Sequence, residues 1–399
     1  MHQLIHPMKK RRILHVITTI ERGGAENHLL DLVKHQRASG MAVTVAYLRG
    51  NGYWTAAFEA LGAEVHPLGL RFYGDLKPLV RLSQLIRNAE LDLVHAHLPP
   101  AELYSRLALL GIGRKTLPLL ITKHNDERFC DAPGKQVLGR WVARRAERVI
   151  AISDAVKRYM CGSGLGVEQR KLQTIYYGID AARFSQSPRA LAASLRKHWG
   201  IAAEELAIGF VGRLVPQKDI GTLVRGFALF AATVAEAKLV VVGSGPLGGE
   251  LRRGAEELGI SGRIVWAGFR EDIVTVMSAF DIFALTSIHE GFGLVLLEAM
   301  ASRLPVVATR TGAIAEVVAD GKTGILVGPR RSEEVAAAFH QLGDGRLRTR
   351  FGEAGRARVL REFTLEKMCE ETDTLYARCV RAGIVRTKEQ IACAVSTVN

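Results

Sequence analysis

Leu206-Ala-Ile-Gly-Phe-Val-Gly-Arg-Leu-Val-Pro-Gln-Lys218 joins a short apolar run to a basic loop. The run Leu206–Gly212 has the length of a buried strand. It follows a polar, helical stretch over 178–205, and before that stretch a whole series of the same kind has ended. That first series places strands at Arg12–Thr19, Val43–Leu48, Leu91–Ala96, Leu119–Thr122 and Arg148–Ile152, with a helix over Ala25–Ala38. From Leu206 a second series continues through Lys238–Val242, Arg263–Ala267, Asp281–Leu285, Pro305–Ala308 and Gly324–Val327. Strands that alternate with helices form parallel sheets covered on both faces. Two such series in 399 residues, too long for one ordinary core, predict two Rossmann-like domains. Their expected limits are 1–185 and 186–360. A helix over 361–382, with no strand after it, is expected to pack back on the first domain, and 383–399 forms a tail. Open α/β sheets bind ligands beyond the carboxyl ends of their strands, so the expected site is a cleft between the two domains.

Composition agrees with a soluble globular protein: 48% hydrophobic, 24% charged, mean hydropathy +0.10. The longest apolar candidate, Leu223–Val242, is broken by Arg225, Glu236 and Lys238, short of the roughly 18 clean residues a membrane span needs. The basic start Lys9-Lys10-Arg11-Arg12 precedes an apolar run without a small-residue cleavage site, which reads as a first strand rather than a signal peptide. The five cysteines are odd in number and nowhere spaced as CxxC, so neither a zinc site nor a disulfide framework is expected, and a reducing cytoplasm is. Residues 1–185 carry 27 Lys and Arg against 16 Asp and Glu; the remainder carries 27 against 24. The basic excess therefore sits on the first half, where an anionic membrane surface or an acidic substrate would explain it. No nucleic-acid-binding module is present, and no nucleic-acid partner is expected.

His289-Glu-Gly-Phe-Gly-Leu-Val-Leu-Leu-Glu298 follows a predicted strand and opens a predicted helix over Gly293–Ala301. Backbone amides at Gly291, Phe292, Gly293 and Leu294 suit an anion such as a diphosphate, because a helix N-terminus carries free N–H groups and the positive dipole end. Glu290 and Glu298 cannot bind that phosphate, so they point to hydroxyls on either side of it: a sugar at Glu290 and a ribose at Glu298. A helix-start acid offsetting the dipole, beside an exposed glutamate, would give the same pattern. Arg213 and Lys218 follow the first strand of their domain, where paired cations stabilise a leaving diphosphate. With no Asp-x-Asp pair to carry a divalent ion, no required metal or other cofactor is expected.

Two further segments point elsewhere. Gly243-Ser-Gly-Pro-Leu-Gly248 satisfies the dinucleotide fingerprint and suggests an NAD(P)-dependent dehydrogenase. It follows the second strand of its domain, however, and the next strand lacks the acid that would hold a ribose. Arg140, Arg144 and Arg148 share a helix face with Trp141 and Arg145 adjoining, the composition of an interfacial membrane helix or of a solvated basic face.

Taken in order, the segments resemble the family-4 retaining glycosyltransferases with the GT-B fold, over roughly residues 12–380. His289–Glu298 is similar to the family's E-x7-E signature. Gly23-Gly24-Ala25-Glu26 resembles its glycine loop and Thr122-Lys123-His124-Asn125 its histidine segment. Ile152-Ser153-Asp154 with Tyr177-Gly178-Ile179-Asp180 resembles its domain-closing segments, and Gly212–Lys218 its basic phosphate-binding stretch. Asp219 stands where the family commonly has glycine. The resemblance implies a nucleotide-diphosphate sugar as co-substrate, transferred with retention to a glycan or lipid-linked acceptor in cell-surface polysaccharide or lipopolysaccharide synthesis. It assigns the acceptor to the first domain and the donor to the second, and places the enzyme in the cytoplasm or peripherally on the inner membrane face. It implies that Arg213, Lys218, Glu290 and His124 are catalytic. Gly23, Gly24, Phe269 (beside the base), Gly291–Leu294 and Glu298 bind the donor, while His95 and His97, at a strand end, meet the acceptor.

Overall fold

The computed structural model describes residues 11–112, 117–125, 133–162, 167–185 and 189–396. The chain forms two compact units, Met1–Tyr176 with Met368–Asn399, and Tyr177–Lys367. Compared with the sequence boundary at 185, the first crossing falls at Tyr177, and the returning helix joins the first unit from Met368.

The first unit holds a seven-stranded parallel sheet in the order β3-β2-β1-β4-β5-β6-β7. Its strands are β1 (Arg12–Ile17), β2 (Ala42–Tyr47), β3 (Glu64–Pro67), β4 (Leu93–His97), β5 (Leu119–Lys123), β6 (Arg148–Ala151) and β7 (Leu172–Thr174). The second unit holds a six-stranded parallel sheet in the order β10-β9-β8-β11-β12-β13. These are β8 (Leu206–Val211), β9 (Ala237–Val242), β10 (Ile264–Gly268), β11 (Ile282–Leu285), β12 (Val306–Thr309) and β13 (Gly324–Val327). In both sheets strand order reverses beside the first strand, between β1 and β4 and between β8 and β11. That reversal opens the crevice in which open α/β sheets hold ligands.

Central strands are apolar because helices cover both faces. Ile13, Leu14, Val16 and Ile17 of β1, and Ile282, Phe283, Ala284 and Leu285 of β11, are fully buried. Each large side chain of this kind contributes about 1.5–3 kcal/mol. Between its two crossings the chain is stitched to itself within the second unit. Ile179 N–H donates to Phe363 C=O at 3.1 Å and Leu365 N–H to Ile179 C=O at 3.1 Å. A Cβ on Gly178 would stand 2.1 Å from the Thr364 carbonyl oxygen, so only glycine fits there. Beyond Thr364 the long helix Leu365–Ser396 carries Cys369, Tyr376 and Cys379 into the core of the first unit. Cys161, Cys369 and Cys379 are free thiols. No helix among the described residues is long and apolar enough to cross a membrane.

Candidate active site

In the first unit the crevice residues come from the carboxyl ends of β1, β4 and β5. Gly23 caps the helix Gly24–Ala38 in extended conformation with no side-chain cap, and a Cβ there would meet Glu26 Oε2 at 2.3 Å. Glu26 is itself held by Thr19 Oγ1 at 2.7 Å, so glycine at 23 keeps the helix N-terminus open.

Behind this loop runs a seam of buried histidines. His15 and His95 stand in register on neighbouring strands, His97 lies two residues along β4, and His124 follows β5. His28 of the first helix closes on His124, with ring centroids 5.7 Å apart. All five are buried. His97 Nδ1 meets His124 Nε2 at 3.1 Å, and His15 Nδ1 meets His97 Nε2 at 3.0 Å. His15 Nε2 meets Gln36 Oε1 at 2.9 Å, and Gln36 Nε2 reaches Tyr376 Oη at 3.3 Å. Tyr376 Oη then meets His95 Nδ1 at 2.6 Å, and His95 Nε2 meets Thr122 Oγ1 at 2.7 Å.

The partners determine the protons. An amide oxygen only accepts, so with Gln36 Oε1 facing His15 the proton of His15 sits on Nε2. His15 Nδ1 then accepts from His97 Nε2–H, and His97 Nδ1 accepts from His124 Nε2–H. On the other side Gln36 donates to Tyr376, Tyr376 donates to His95 Nδ1, and His95 Nε2–H donates to Thr122. Turning the Gln36 amide over reverses every bond in the series, so one glutamine sets the tautomer of His124 through two intervening rings. Burial holds the series neutral. It lowers His15 to about 4 and His28 to about 3, and it pushes His95, His97 and His124 well below the ordinary histidine value, with neighbouring histidines adding to the effect.

The expected acceptor contacts are corrected here. His95 is fully buried with hydroxyl partners on both nitrogens, and His97 is fully buried between His15 and His124. Both point inward from β4 onto the sheet face that the Tyr376 helix covers, so they support His124. His124 is 5% exposed. Among the described residues His15, His95 and His97 also form the one group of ligand atoms close enough to share a metal ion. Their nitrogens instead complete hydrogen bonds with neutral partners. Beside them Lys123 pairs with Glu102 at 2.6 Å inside the unit, where burial raises the Glu102 carboxyl.

In the second unit the crevice residues come from β8 and β11. The loop after β8 carries Arg213, which is exposed, and Lys218 in a short 3-10 turn. Asp219 ends that turn at φ 43° and ψ 47°, the left-handed region that favours glycine. Aspartate tolerates this conformation better than most residues, so the left-handed turn forms without glycine. Thr286 Oγ1 donates to the carbonyls of Lys218 and Asp219 at 3.2 and 3.0 Å, fixing the loop against the end of β11.

Glu290 is 8% exposed and accepts from Lys218 Nζ and, at 2.9 Å, from Ser287 Oγ. The two groups that the sequence assigns to different parts of a donor thus form an ion pair. Gly312, at φ 51°, packs behind Glu290; a Cβ there would sit 2.1 Å from the Glu290 carbonyl oxygen. The helix Leu294–Ala301 begins with Gly293 in the left-handed region (φ 86°) and has no side-chain cap. Gly291, Phe292 and Gly293 are buried, and Phe292 stacks edge-on with Tyr177 and Phe363 at 5.5 and 5.8 Å. Phe292 is therefore a packing residue that shapes the loop. Glu298, one helical turn on, is half-buried, and Phe269 after β10 is 53% exposed.

The dinucleotide fingerprint has a different use. A Cβ on Gly243 would lie 1.9 Å from the Gly212 carbonyl oxygen, and one on Gly245 2.4 Å from that of Leu214. These glycines let the loop after β9 press against the Arg213 loop, joined by Leu214 N–H to Ser244 C=O at 3.0 Å. The basic helix Pro133–Arg145 also differs from an open interfacial face. Arg140 and Arg144 are exposed, but Trp141 stacks under Arg106 at 4.6 Å and Arg145 donates to the Leu117 carbonyl at 2.9 Å.

Sequence reading missed His15, His28, Gln36 and Tyr376, and also Ser287. Histidines in otherwise apolar strands were the available signal for the seam; nothing local marks Gln36 or Tyr376.

The glycosyl transferases group 1 model matches residues 193–358, and the glycosyltransferase family 4 model matches residues 22–183. The chain is 30% identical to a GDP-mannose-dependent alpha-(1-6)-phosphatidylinositol monomannoside mannosyltransferase of Mycobacterium tuberculosis, over 86% of this chain and 91% of that one. It is 28% identical to the N-acetyl-alpha-D-glucosaminyl L-malate synthase of Bacillus anthracis, over 77% and 80%. The structure of Anabaena HepE in complex with UDP-glucose superposes with a TM-score of 0.80 at 26% identity, covering 92% of this chain and 99% of that one. Sequence order, paired Rossmann-like sheets and these likenesses agree: the chain belongs to the family-4 glycosyltransferases of GT-B fold.

Proposed function

We propose that this transferase moves a hexose from a UDP- or GDP-linked donor, with retention, to a hydroxyl of a glycan or lipid-linked acceptor in cell-surface polysaccharide synthesis. The observation that carries the reading is Glu290, buried and held by Lys218 and Ser287 directly before an uncapped helix N-terminus. Similarity to proteins whose names and complexes include GDP-mannose and UDP-glucose supports a nucleotide-sugar donor.

In this reading the diphosphate meets the amides at Leu294 and the cations of Arg213 and Lys218, and the family resemblance assigns Gly23 and Gly24 to the donor as well. Lys218 turns from neutralising Glu290 alone to bridging it and the phosphate, which frees Glu290 to accept from sugar hydroxyls. Glu298 takes the ribose and Phe269 the base. Following the family resemblance, the acceptor oxygen attacks on the face the diphosphate leaves, with no covalent enzyme intermediate. The C–O bond to phosphate breaks as the new one forms, and a departing phosphate oxygen takes the acceptor's proton. His124, kept neutral by burial and with its tautomer set through Gln36, offers the sugar a hydrogen-bonding group without adding charge. Arg213 and Lys218 supply the stabilisation that a divalent ion gives elsewhere, so no metal is required. The reaction takes place in the cytoplasm or on the inner membrane face.

The test is a panel of UDP- and GDP-sugars screened for thermal stabilisation, because ligands that bind the native state raise its melting temperature. The stabilising donor is then used in transfer, with the anomeric configuration of the product read by NMR. Stabilisation by UDP- or GDP-hexoses and a product of unchanged configuration are expected; an inverted product would refute retention.

A further inference from the structure

The arginines of the Pro133–Arg145 helix do not lie on a flat face. Arg144, Arg145 and Arg148 line a cavity of about 690 Å³ in the first unit, together with Arg106 from the helix Pro99–Gly111 and Arg170 and Lys171 from the turn before β7. Leu109 and Leu110 form its apolar side, and Glu147 is the one acid in the lining. Arg148 begins β6 and Lys171 directly precedes β7, so the cavity opens at the amino ends of the strands. His124 lies beyond the carboxyl end of β5, about 15 Å away along five residues of strand. The cavity is therefore separate from the crevice.

A simpler account holds for part of the set. Arg144 and Arg145 end a helix, where cations offset the dipole. Arg145 donates to the Leu117 carbonyl, Lys171 Nζ to the Arg144 carbonyl at 3.1 Å, Arg148 to Glu147, and Arg170 to Glu168. That account leaves Arg106 unexplained. Its guanidinium stacks on Trp141, burial lowers its proton affinity, and its Nε is buried with no hydrogen-bond partner. A buried donor without an acceptor is costly, and six cations around one cavity repel each other. An anion with several oxygens would relieve both.

We propose that this cavity binds a phosphate-bearing anion, with Arg106 and Arg144 as its main donors. The phosphate comes either from a free phosphorylated solute or from the headgroup of an anionic lipid, for which half-exposed Leu110 would border the acyl side. Either source makes the cavity an anchoring or regulatory site of the acceptor unit, independent of the donor reading.

Trp141 reports occupancy because it stacks on Arg106. The experiment titrates the full chain with inorganic pyrophosphate and follows tryptophan fluorescence, with Trp141→Phe to show that the signal is local. In parallel, the chain is co-sedimented with phosphatidylglycerol and phosphatidylcholine vesicles. Arg144→Gln with Arg170→Gln tests the assignment, since both side chains are exposed and their loss leaves the core intact. Saturable quenching lost in Trp141→Phe, and weakened at least tenfold in the double variant, identifies a soluble phosphorylated ligand. Binding to phosphatidylglycerol vesicles alone, weakened at least tenfold in the double variant, identifies a lipid headgroup. If neither probe binds, or if the double variant binds as tightly as the parent, the proposal is overturned.

Discussion

The two units share a topology and differ in what they place at the same point of it. At its strand reversal the first carries a continuous hydrogen-bonded seam of neutral rings, His124–His97–His15–Gln36–Tyr376–His95, sealed from water. The second carries a charged pair, Lys218–Glu290, on loops pressed together through glycines. A charge-bearing site suits a substrate whose own charge changes during reaction. A neutral seam suits a group that must be held in place and kept uncharged. In the proposed reading, one sheet type thus supports an electrostatic site in one unit and a positioning site in the other.

The largest effect that would sharpen this contrast is acid sensitivity confined to the first unit. Its histidines have folded pKa values below the unfolded 6.5, so the unfolded chain binds more protons than the folded one. Their stabilisation is complete above pH 6.5 and falls as pH drops below it, down to about 4 for His15 and about 3 for His28. His15 and His28 each cost about 1.4 kcal/mol per pH unit in that window, and His95, His97 and His124 act in the same direction, a large share of the ~5–15 kcal/mol that holds a domain folded. Hydrogen exchange at pH 5.5 is expected to open β1, β4 and β5 before β8 and β11. Simultaneous opening of both sheets would erase the distinction.

A smaller effect is expected in the second unit from Gly312→Ala. The added Cβ collides with the Glu290 carbonyl and the backbone is left-handed there, so the loop must move. A loss of about 2–4 kcal/mol is expected, with transfer impaired beyond what stability explains. An unchanged melting temperature would mean that the loop does not hold Glu290.

Tyr376→Phe should cost about 1–3 kcal/mol, because it leaves His95 Nδ1 and the Gln36 amide without their shared hydroxyl. Urea unfolding of the variant measures the cost. Gln36→Glu is informative in another way: its carboxylate only accepts, so it locks the His124 proton on Nε2. Two-bond proton–nitrogen spectra should then show one His124 tautomer, whereas an unaltered mixture would mean that the seam does not set it. The smallest effect is expected from EDTA, which should leave transfer unchanged; activity lost and then restored by magnesium or manganese would contradict the assignment to Arg213 and Lys218.

All eleven strands read from the sequence exist, because buried parallel strands are continuous apolar runs. The two that escaped, β3 and β7, are short edge strands. β3 has no fully buried residue and β7 has three residues, so neither leaves an apolar run. The position of Arg213, Lys218 and Glu290 was legible because each follows a strand that borders the reversal. The seam was only half legible. Its histidines interrupt apolar strands visibly, yet which nitrogen faces which partner depends on Gln36 and Tyr376, separated by 340 residues. Asp219 shows the reverse: a departure from pattern that the backbone absorbs in a left-handed turn.

The central claim is that Glu290 reads the sugar while Glu298 reads the nucleotide. Calorimetry of UDP, GDP and their sugar conjugates against Glu290→Gln and Glu298→Ala tests it most directly. Glu290→Gln is predicted to bind the free diphosphate nearly as the parent does while losing its preference for the sugar-bearing form. Glu298→Ala should weaken both by about 1–3 kcal/mol, the scale of a lost charged hydrogen bond. If Glu290→Gln loses the free diphosphate as badly as Glu298→Ala does, the division of the two acids is wrong.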